Sequence, residues 1–191
     1  NSRWAYTLFL NSALNSDFST IDYNDIFLTG GVIFIRQFSP NLRLGFGAMV
    51  HNNLGTPMFW PALSVYWHFG ERFNIDIRVP DEGQGLAYTI GVGYQLKQNL
   101  KLGFAFKPQM TSYDVEVRKN IDNRLMNYWQ LPFELSGVYT KGNFEYTATL
   151  GFTALRRFAY AEKKLENMFT EYPYYGLSTN LMASTGIKYR F

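Results

Sequence analysis

Apolar side chains alternate with polar or small ones along most of the chain. In one segment Leu44, Phe46 and Val50 fall at every second or fourth position, with Gly45 and Gly47 between them. A period of two is typical of a β-strand whose two faces differ chemically. The pattern recurs from end to end, which predicts an all-β protein with one domain over residues 1–191.

The alternation divides the chain into ten predicted strands with connections of two lengths. Short connections near 39–41, 70–71, 97–99 and 141–143 alternate with long ones near 12–23, 52–58, 80–85, 115–123 and 157–177. This asymmetry is typical of an up-and-down antiparallel transmembrane β-barrel, in which the first strand pairs with the last. Twelve strands remain an alternative if the chain is trimmed. The ten segments are 3–11, 24–37, 42–51, 59–69, 72–79, 86–96, 100–114, 124–139, 144–156 and 178–191.

Strand length and face chemistry favour a membrane barrel over a soluble sandwich. The segments run to about 9–14 residues, nearer the ~9–11 of a tilted membrane strand than the ~5–6 of soluble sheets. The less apolar face is rich in Gly, Thr, Ala and Ser, which suits a narrow lumen. The lipid-facing side of the second strand stays open, because bulky residues occupy both of its faces. Pro108 and Pro132 lie inside predicted strands and predict β-bulges there.

Single charges lie on the predicted lumen face. Such charges must be paired or hydrated in a confined space, so we expect ion pairs that plug the lumen; a conducting path is the alternative. The residues of this lumen charge network are Arg43, Asp76, Arg78, Lys101, Lys107, Glu134, Glu145, Lys188 and Arg190.

Composition narrows the class further. No cysteine is present, so disulfides and thiolate metal sites are excluded, and two distant histidines predict no metal site or cofactor. A net charge of +3 with scattered basic residues does not indicate nucleic-acid binding.

Mean hydropathy is −0.19 and long apolar runs are lacking, which excludes a helical membrane protein. Aromatic residues reach 18%, and we expect them in interfacial girdles. The expected girdle residues are Trp60, Trp67, Phe69, Phe73, Tyr113, Trp129, Tyr139 and Tyr189.

The end of the chain resembles the terminal signal of bacterial outer-membrane β-barrels. Ile187, Tyr189 and Phe191 alternate in the last strand and close it with an aromatic residue. The resemblance implies insertion into a Gram-negative outer membrane, with its lipid and the barrel assembly machinery as partners. Residues 61–63 and 73–80 also resemble uncharacterised outer-membrane barrel families of Bacteroidetes-type bacteria, which implies no particular activity.

Two further groups are candidates for function. His51 lies at the outer end of the third strand, and Asp81 and Glu82 occupy the next long loop, so a rim hydrolase site is one hypothesis. A solvated loop residue or a girdle member is the simpler interpretation of this histidine. The loop 157–177 is interpreted either as a cap on the barrel mouth or as a partner-docking surface. Its candidate residues are Phe158, Leu165, Met168, Phe169, Tyr172, Tyr174 and Tyr175.

The functional prediction is a non-enzymatic barrel with a largely plugged lumen. We expect it to act as a structural or accessory subunit of an outer-membrane assembly, with a possible protein partner. A narrow channel for small solutes is the second hypothesis, and an outer-membrane hydrolase acting at the rim is the third.

Overall fold

The computed structural model describes residues 3–18, 21–81, 85–115, 125–162 and 173–190. These residues form one antiparallel sheet of thirteen strands, which confirms the all-β prediction. The helical structure within the described ranges is a single 3-10 turn, Tyr23–Asp25. The strands are β1 (Trp4–Leu14), β2 (Ile26–Ser39), β3 (Leu42–His51), β4 (Met58–Phe69), β5 (Phe73–Val79), β6 (Leu86–Ala87), β7 (Thr89–Lys97), β8 (Leu100–Phe106), β9 (Gln109–Asp114), β10 (Leu125–Lys141), β11 (Phe144–Ala161), β12 (Tyr174–Leu177) and β13 (Asn180–Tyr189).

Interrupted strands explain why thirteen strands are present where ten segments are predicted. β6 and β7 fall within one predicted segment, as do β8 and β9. β12 lies outside the predicted segments, at the end of the connection expected over 157–177. β8 and β9 pair with successive parts of β10, and β12 and β13 pair with successive parts of β11. The main ladder therefore runs β1-β2-β3-β4-β5-β7-β8-β10-β11-β12, in sequence order.

Among the described strands β1 and β13 do not pair with each other, which differs from the expected pairing of the first strand with the last. In the described strand pairs, β1 pairs with β2 along its length and β13 pairs with β11. The chain leaving β1 is engaged elsewhere, because the backbone N–H of Asp17 donates to the carbonyl of Asp114 in β9 at 3.2 Å. The N–H of Asp114 in turn donates to the carbonyl of Asn15 at 3.0 Å.

A line of irregular backbone crosses the adjacent strands β6/β7, β8/β9, β10 and β11. Its positions are Tyr88, Pro108 and Pro132, where the ladder breaks or shifts register. Proline cannot donate to a ladder, so the neighbouring strands bond to its carbonyl instead. The N–H of Tyr88 donates to Pro108 and that of Lys107 to Pro132, both at 3.0 Å. The register shift at Pro132 confirms the predicted bulge there, and at Pro108 the strand is interrupted outright.

The sheet is strongly curved. Met49 of β3, Leu86 of β6 and Met110 of β9 form one buried cluster, and Trp129 of β10 packs against it. β3 and β10 lie five places apart in the ladder, a separation of about 24 Å in a flat sheet. Contact between them therefore requires the sheet to curl around the cluster. We call the face that carries this cluster the concave face and the opposite face the convex face.

Curvature also resolves the phase of the second strand. Phe27 and Ile33 are buried on the concave face, whereas Leu28 and Phe34 are exposed on the convex face. No helix within the described ranges is both long and apolar enough to cross a membrane.

Candidate lumen and apolar outer surface

Large apolar side chains cover the convex face and are exposed there. Leu8 in β1 is 71% exposed and Leu150 in β11 is 65% exposed, although both lie inside regular strands. Water-soluble proteins seldom expose contiguous apolar patches beyond a few hundred Å². Further exposed members on this side are Tyr6, Leu10, Phe34, Phe46, Leu63, Phe104, Leu135, Phe152, Leu181 and Ile187.

The concave face carries ion pairs formed by six of the nine predicted lumen charges. Lys107 Nζ lies 2.6 Å from Glu134 Oε2, and Arg190 pairs with Glu145. The Nε atom of Arg78 lies 3.3 Å from Asp76 Oδ2. Each pair joins opposite charges that the sequence analysis placed on the same face.

The remaining three predicted charges have different surroundings. The guanidinium of Arg43 lies over the ring of Tyr66, 4.6 Å from its centroid. Lys101 occupies space left by Gly93, since a Cβ at that glycine would approach its Cε to 2.6 Å. Lys188 is the cross-strand partner of Glu145. Glycine on this face thus makes room for long polar side chains.

Apolar side chains pack together on the concave face, at the end where the long connections lie. Met49, Leu86 and Met110 are almost completely buried, and Phe9, Leu54, Trp60, Tyr88 and Trp129 pack against them. We call these eight residues the plug cluster. The indole N–H of Trp60 donates to the hydroxyl of Tyr88 within it. This packing brings side chains of β1, β3, β4, β6, β9 and β10 together on the concave face.

Two predicted girdle residues are therefore placed wrongly by the sequence analysis. Trp60 and Trp129 face the plug cluster and not the convex surface. The reason for Trp129 is the bulge at Pro132, which reverses the alternation within β10: Phe133 stacks on Phe152 of the convex face, while Trp129, four residues away, points inward.

Five of the other six predicted girdle residues form aromatic contacts near the short connections. Trp67, Phe69 and Phe73 stack in sequence and reach Tyr94, with ring centroids 4.9–5.5 Å apart. A second group contains Tyr139, Tyr146, Phe144 and Tyr189. Tyr113 is partly buried in β9, opposite Met126.

The candidate rim site is not assembled as a hydrolase would require. His51 is only 1% exposed, and its Nδ1 accepts the backbone N–H of Asn53 at 3.3 Å. Asp81 lies 2.7 Å from Arg78 Nη1 and also accepts the hydroxyl of Thr89. Glu82 lies outside the described residues. His51 is therefore not a solvated loop histidine: it is buried, and its ring lies 6.1 Å from that of Trp60. In the described parts of the chain, no group of three potential metal ligands is present.

The predicted partner-binding loop begins later than the sequence analysis expects. Phe158 lies within β11, which continues to Ala161, and Tyr174 and Tyr175 form the start of β12. Leu165, Met168, Phe169 and Tyr172 lie outside the described residues, as does Phe191 of the terminal signal. Ile187 and Tyr189 of that signal are exposed in β13.

Several buried residues were not predicted from the local sequence pattern. Met49 falls on the glycine-rich face of β3, and its bulk among Gly45 and Gly47 is a signal that something packs there. Asn15 and Ser112 are buried and hydrogen-bonded across 97 positions, and no local pattern indicates this contact.

Residues 1–190 match a family model described as a domain of unknown function, DUF6268. The chain belongs to this family. No curated protein and no solved structure matches the chain.

Proposed function

We propose that this DUF6268 chain is a β-barrel of a Gram-negative outer membrane, with a plugged lumen, that serves as a structural or accessory subunit. The observation that carries the proposal is the inverted distribution of side chains: apolar residues are exposed on the convex face, and ion pairs and the plug cluster occupy the concave face. In water the opposite arrangement is favoured, since apolar area is stabilised by leaving the solvent.

The height of the apolar band supports a membrane location. β10 and β11 contain 17 and 18 residues, more than the ~9–11 that cross a bilayer at a tilt. Their exposed apolar residues run from the short turn to the bulge: Leu135 and Tyr139 in β10, and Phe144, Tyr146, Leu150, Phe152 and Leu155 in β11. The aromatic contacts at the short connections then mark one membrane interface.

The plug cluster favours a role other than conduction. The packing of Met49, Met110 and Trp129 on the concave face favours a filled interior over a continuous aqueous path. The channel hypothesis therefore has less support than an accessory role, and the burial of His51 gives the hydrolase hypothesis little support.

Barrel closure requires β1 to pair with β13. Both strands are exposed and bear apolar convex residues, such as Leu8 and Leu181. In a bilayer an unpaired strand edge is costly, because no water is available to its N–H and C=O groups. Closure would satisfy both edges at once.

Adjacent residues on opposite faces of β11 test the proposal. Leu150 is exposed on the convex face, whereas Thr149, its neighbour, lies on the concave face. We expect the wild type and Thr149→Lys to float with phospholipid vesicles. Leu150→Lys should make the free energy of membrane insertion less favourable by about 2–4 kcal/mol if the site lies near the bilayer midplane. A wild type that stays in the aqueous fraction, with Leu150→Lys improving its solubility, contradicts the proposal.

A further inference from the structure

A polar and aromatic patch lies directly beyond the apolar band on the convex side of β10, β11 and β12. On β11 the exposed apolar run ends at Leu155, and Arg156 follows. Phe158 stacks on Tyr175 of β12, with centroids 5.1 Å apart, and Tyr160 lies at an angle to Tyr175 at 6.4 Å. We call Tyr128, Arg156, Phe158, Tyr160 and Tyr175 the interface patch.

Arg156 is held in one position by two hydrogen bonds. Its Nε donates to the hydroxyl of Tyr128 at 2.8 Å, and its Nη1 donates to the carbonyl of Ser178 at 3.3 Å. The Tyr128 hydroxyl in turn donates to Gln130 Oε1 at 3.4 Å. A guanidinium has five N–H donors, so three donors of Arg156 have no acceptor among the described residues.

The groups of the interface patch indicate which kind of ligand it suits. A pre-positioned guanidinium with unused donors suits a phosphate, because its planar fork can bond two oxygens. Tyrosines beside it suit the headgroup zone, where rings contact both acyl chains and water. Tyr175 is 55% exposed, and Tyr128 and Tyr160 are partly exposed.

We infer that the interface patch binds the phosphate of an anionic lipid headgroup through Arg156. The inference rests on the proposed function, because it requires the apolar band to lie in a bilayer. A lipid fits better than a free ion, since the patch adjoins the acyl-chain zone and its rings can cover the upper part of an acyl chain.

The test uses the full chain in detergent micelles and follows the unfolding midpoint, Tm, while phosphatidylglycerol is added. We expect a saturable rise in Tm for the wild type, with a smaller rise for phosphatidylcholine. Arg156→Gln should weaken the apparent affinity for phosphatidylglycerol at least about tenfold, as expected for loss of a charge-assisted hydrogen bond. Arg156→Lys, which keeps the charge and loses the fork, should fall between the two.

Arg43→Gln is the matched control. It also removes a guanidinium that contacts a tyrosine, but on the concave face, over Tyr66. Its affinity for phosphatidylglycerol should stay within about twofold of the wild type, an expectation that follows from its distance from the acyl-chain zone. If Arg156→Gln does not fold, the comparison of Arg156→Lys with Arg43→Gln decides the same question.

Three outcomes overturn the inference: equal affinity in Arg156→Gln and wild type, equal losses in Arg156→Gln and Arg43→Gln, or saturation by inorganic phosphate at the concentrations effective for the lipid. Vesicle flotation of the same samples separates this failure from that of the proposed function. If the protein floats but Arg156→Gln does not change its affinity for phosphatidylglycerol, only the inference is overturned. If the protein does not float, both the inference and the proposed function are overturned.

Discussion

The side-chain amide of Asn15 donates a hydrogen bond to the backbone carbonyl of Ser112 at 3.0 Å. Asn15 directly follows β1, and Ser112 lies in β9, the continuation of β8. β1 and β8 are six places apart in the ladder, about 29 Å in a flat sheet. Together with the backbone hydrogen bonds between residues 15–17 and Asp114, this contact joins two distant parts of the curved sheet.

Replacing Asn15 should loosen this tie. Asn15→Ala leaves the buried carbonyl of Ser112 without that donor, and we expect a loss of about 1–3 kcal/mol in unfolding free energy. Thermal or denaturant unfolding in detergent measures the change. The control is Asn143→Ala, which removes an exposed bond from Asn143 Nδ2 to the Tyr189 hydroxyl and should cost little. Equal effects of the two variants would contradict the importance of the tie.

The concave face needs glycine where Phe9 crosses β2. A Cβ at Gly31 would lie 2.5 Å from the carbonyl of Ala48 and 2.8 Å from the Phe9 ring. Gly31→Ala should therefore destabilise the protein by about 1–3 kcal/mol, as overpacked sites do. Gly176→Ala is the control, since nothing lies within 4 Å of its added methyl group. The yield of folded protein and Tm provide the measurement, and an unchanged Gly31→Ala would refute the close packing.

The Lys107–Glu134 ion pair should show coupling in a double-mutant cycle. The two charged atoms are 2.6 Å apart, and their side chains are partly exposed, so we expect a coupling energy of about 1 kcal/mol or less. Raising the salt concentration should reduce it, because exposed charges are screened. The cycle uses Lys107→Met, Glu134→Gln and the double variant. Zero coupling at low salt would show that the pair is absent in solution.

The plug cluster predicts an electrically silent protein. With Met49, Met110 and Trp129 filling the interior, planar-bilayer recording should show no discrete conductance. Flotation of the same preparation with vesicles must first show that the protein is in the bilayer. Discrete openings in the wild type, altered by Lys107→Met or Glu134→Gln, would favour the channel hypothesis.

The absence of cysteine permits a direct test of barrel closure. Leu8→Cys can be combined in turn with Ala183→Cys, Thr185→Cys or Ile187→Cys, all on the convex side. Closure predicts that one combination forms an intramolecular disulfide under mild oxidation, visible as a faster monomer band without reductant. Leu8→Cys with Ser184→Cys is the control, because Ser184 lies on the concave face. A cross-linked dimer in place of the monomer band would show that the edges pair between copies.

Local pattern was sufficient for much of the fold. Alternation predicted the described strands other than β12, because side chains on a strand must point to opposite faces and solvent chemistry separates the two. The same rule placed Asp76, Lys107 and Glu134 on the face where the ion pairs form. Pro132 predicted its own bulge, since a residue without N–H cannot continue a ladder.

Tertiary structure decided the contacts and the burial that alternation along a strand does not predict. The inward position of Trp129 depends on a change of phase at Pro132, whose direction is set by the strands on either side. The burial of His51 and the contact of Asn15 with Ser112 depend on how far the sheet curls, a sum of small twists over many strands. The sequence by itself determined which residues share a strand face; only the curvature determined which of those faces meet, because contacts between distant strands are not encoded in any local period.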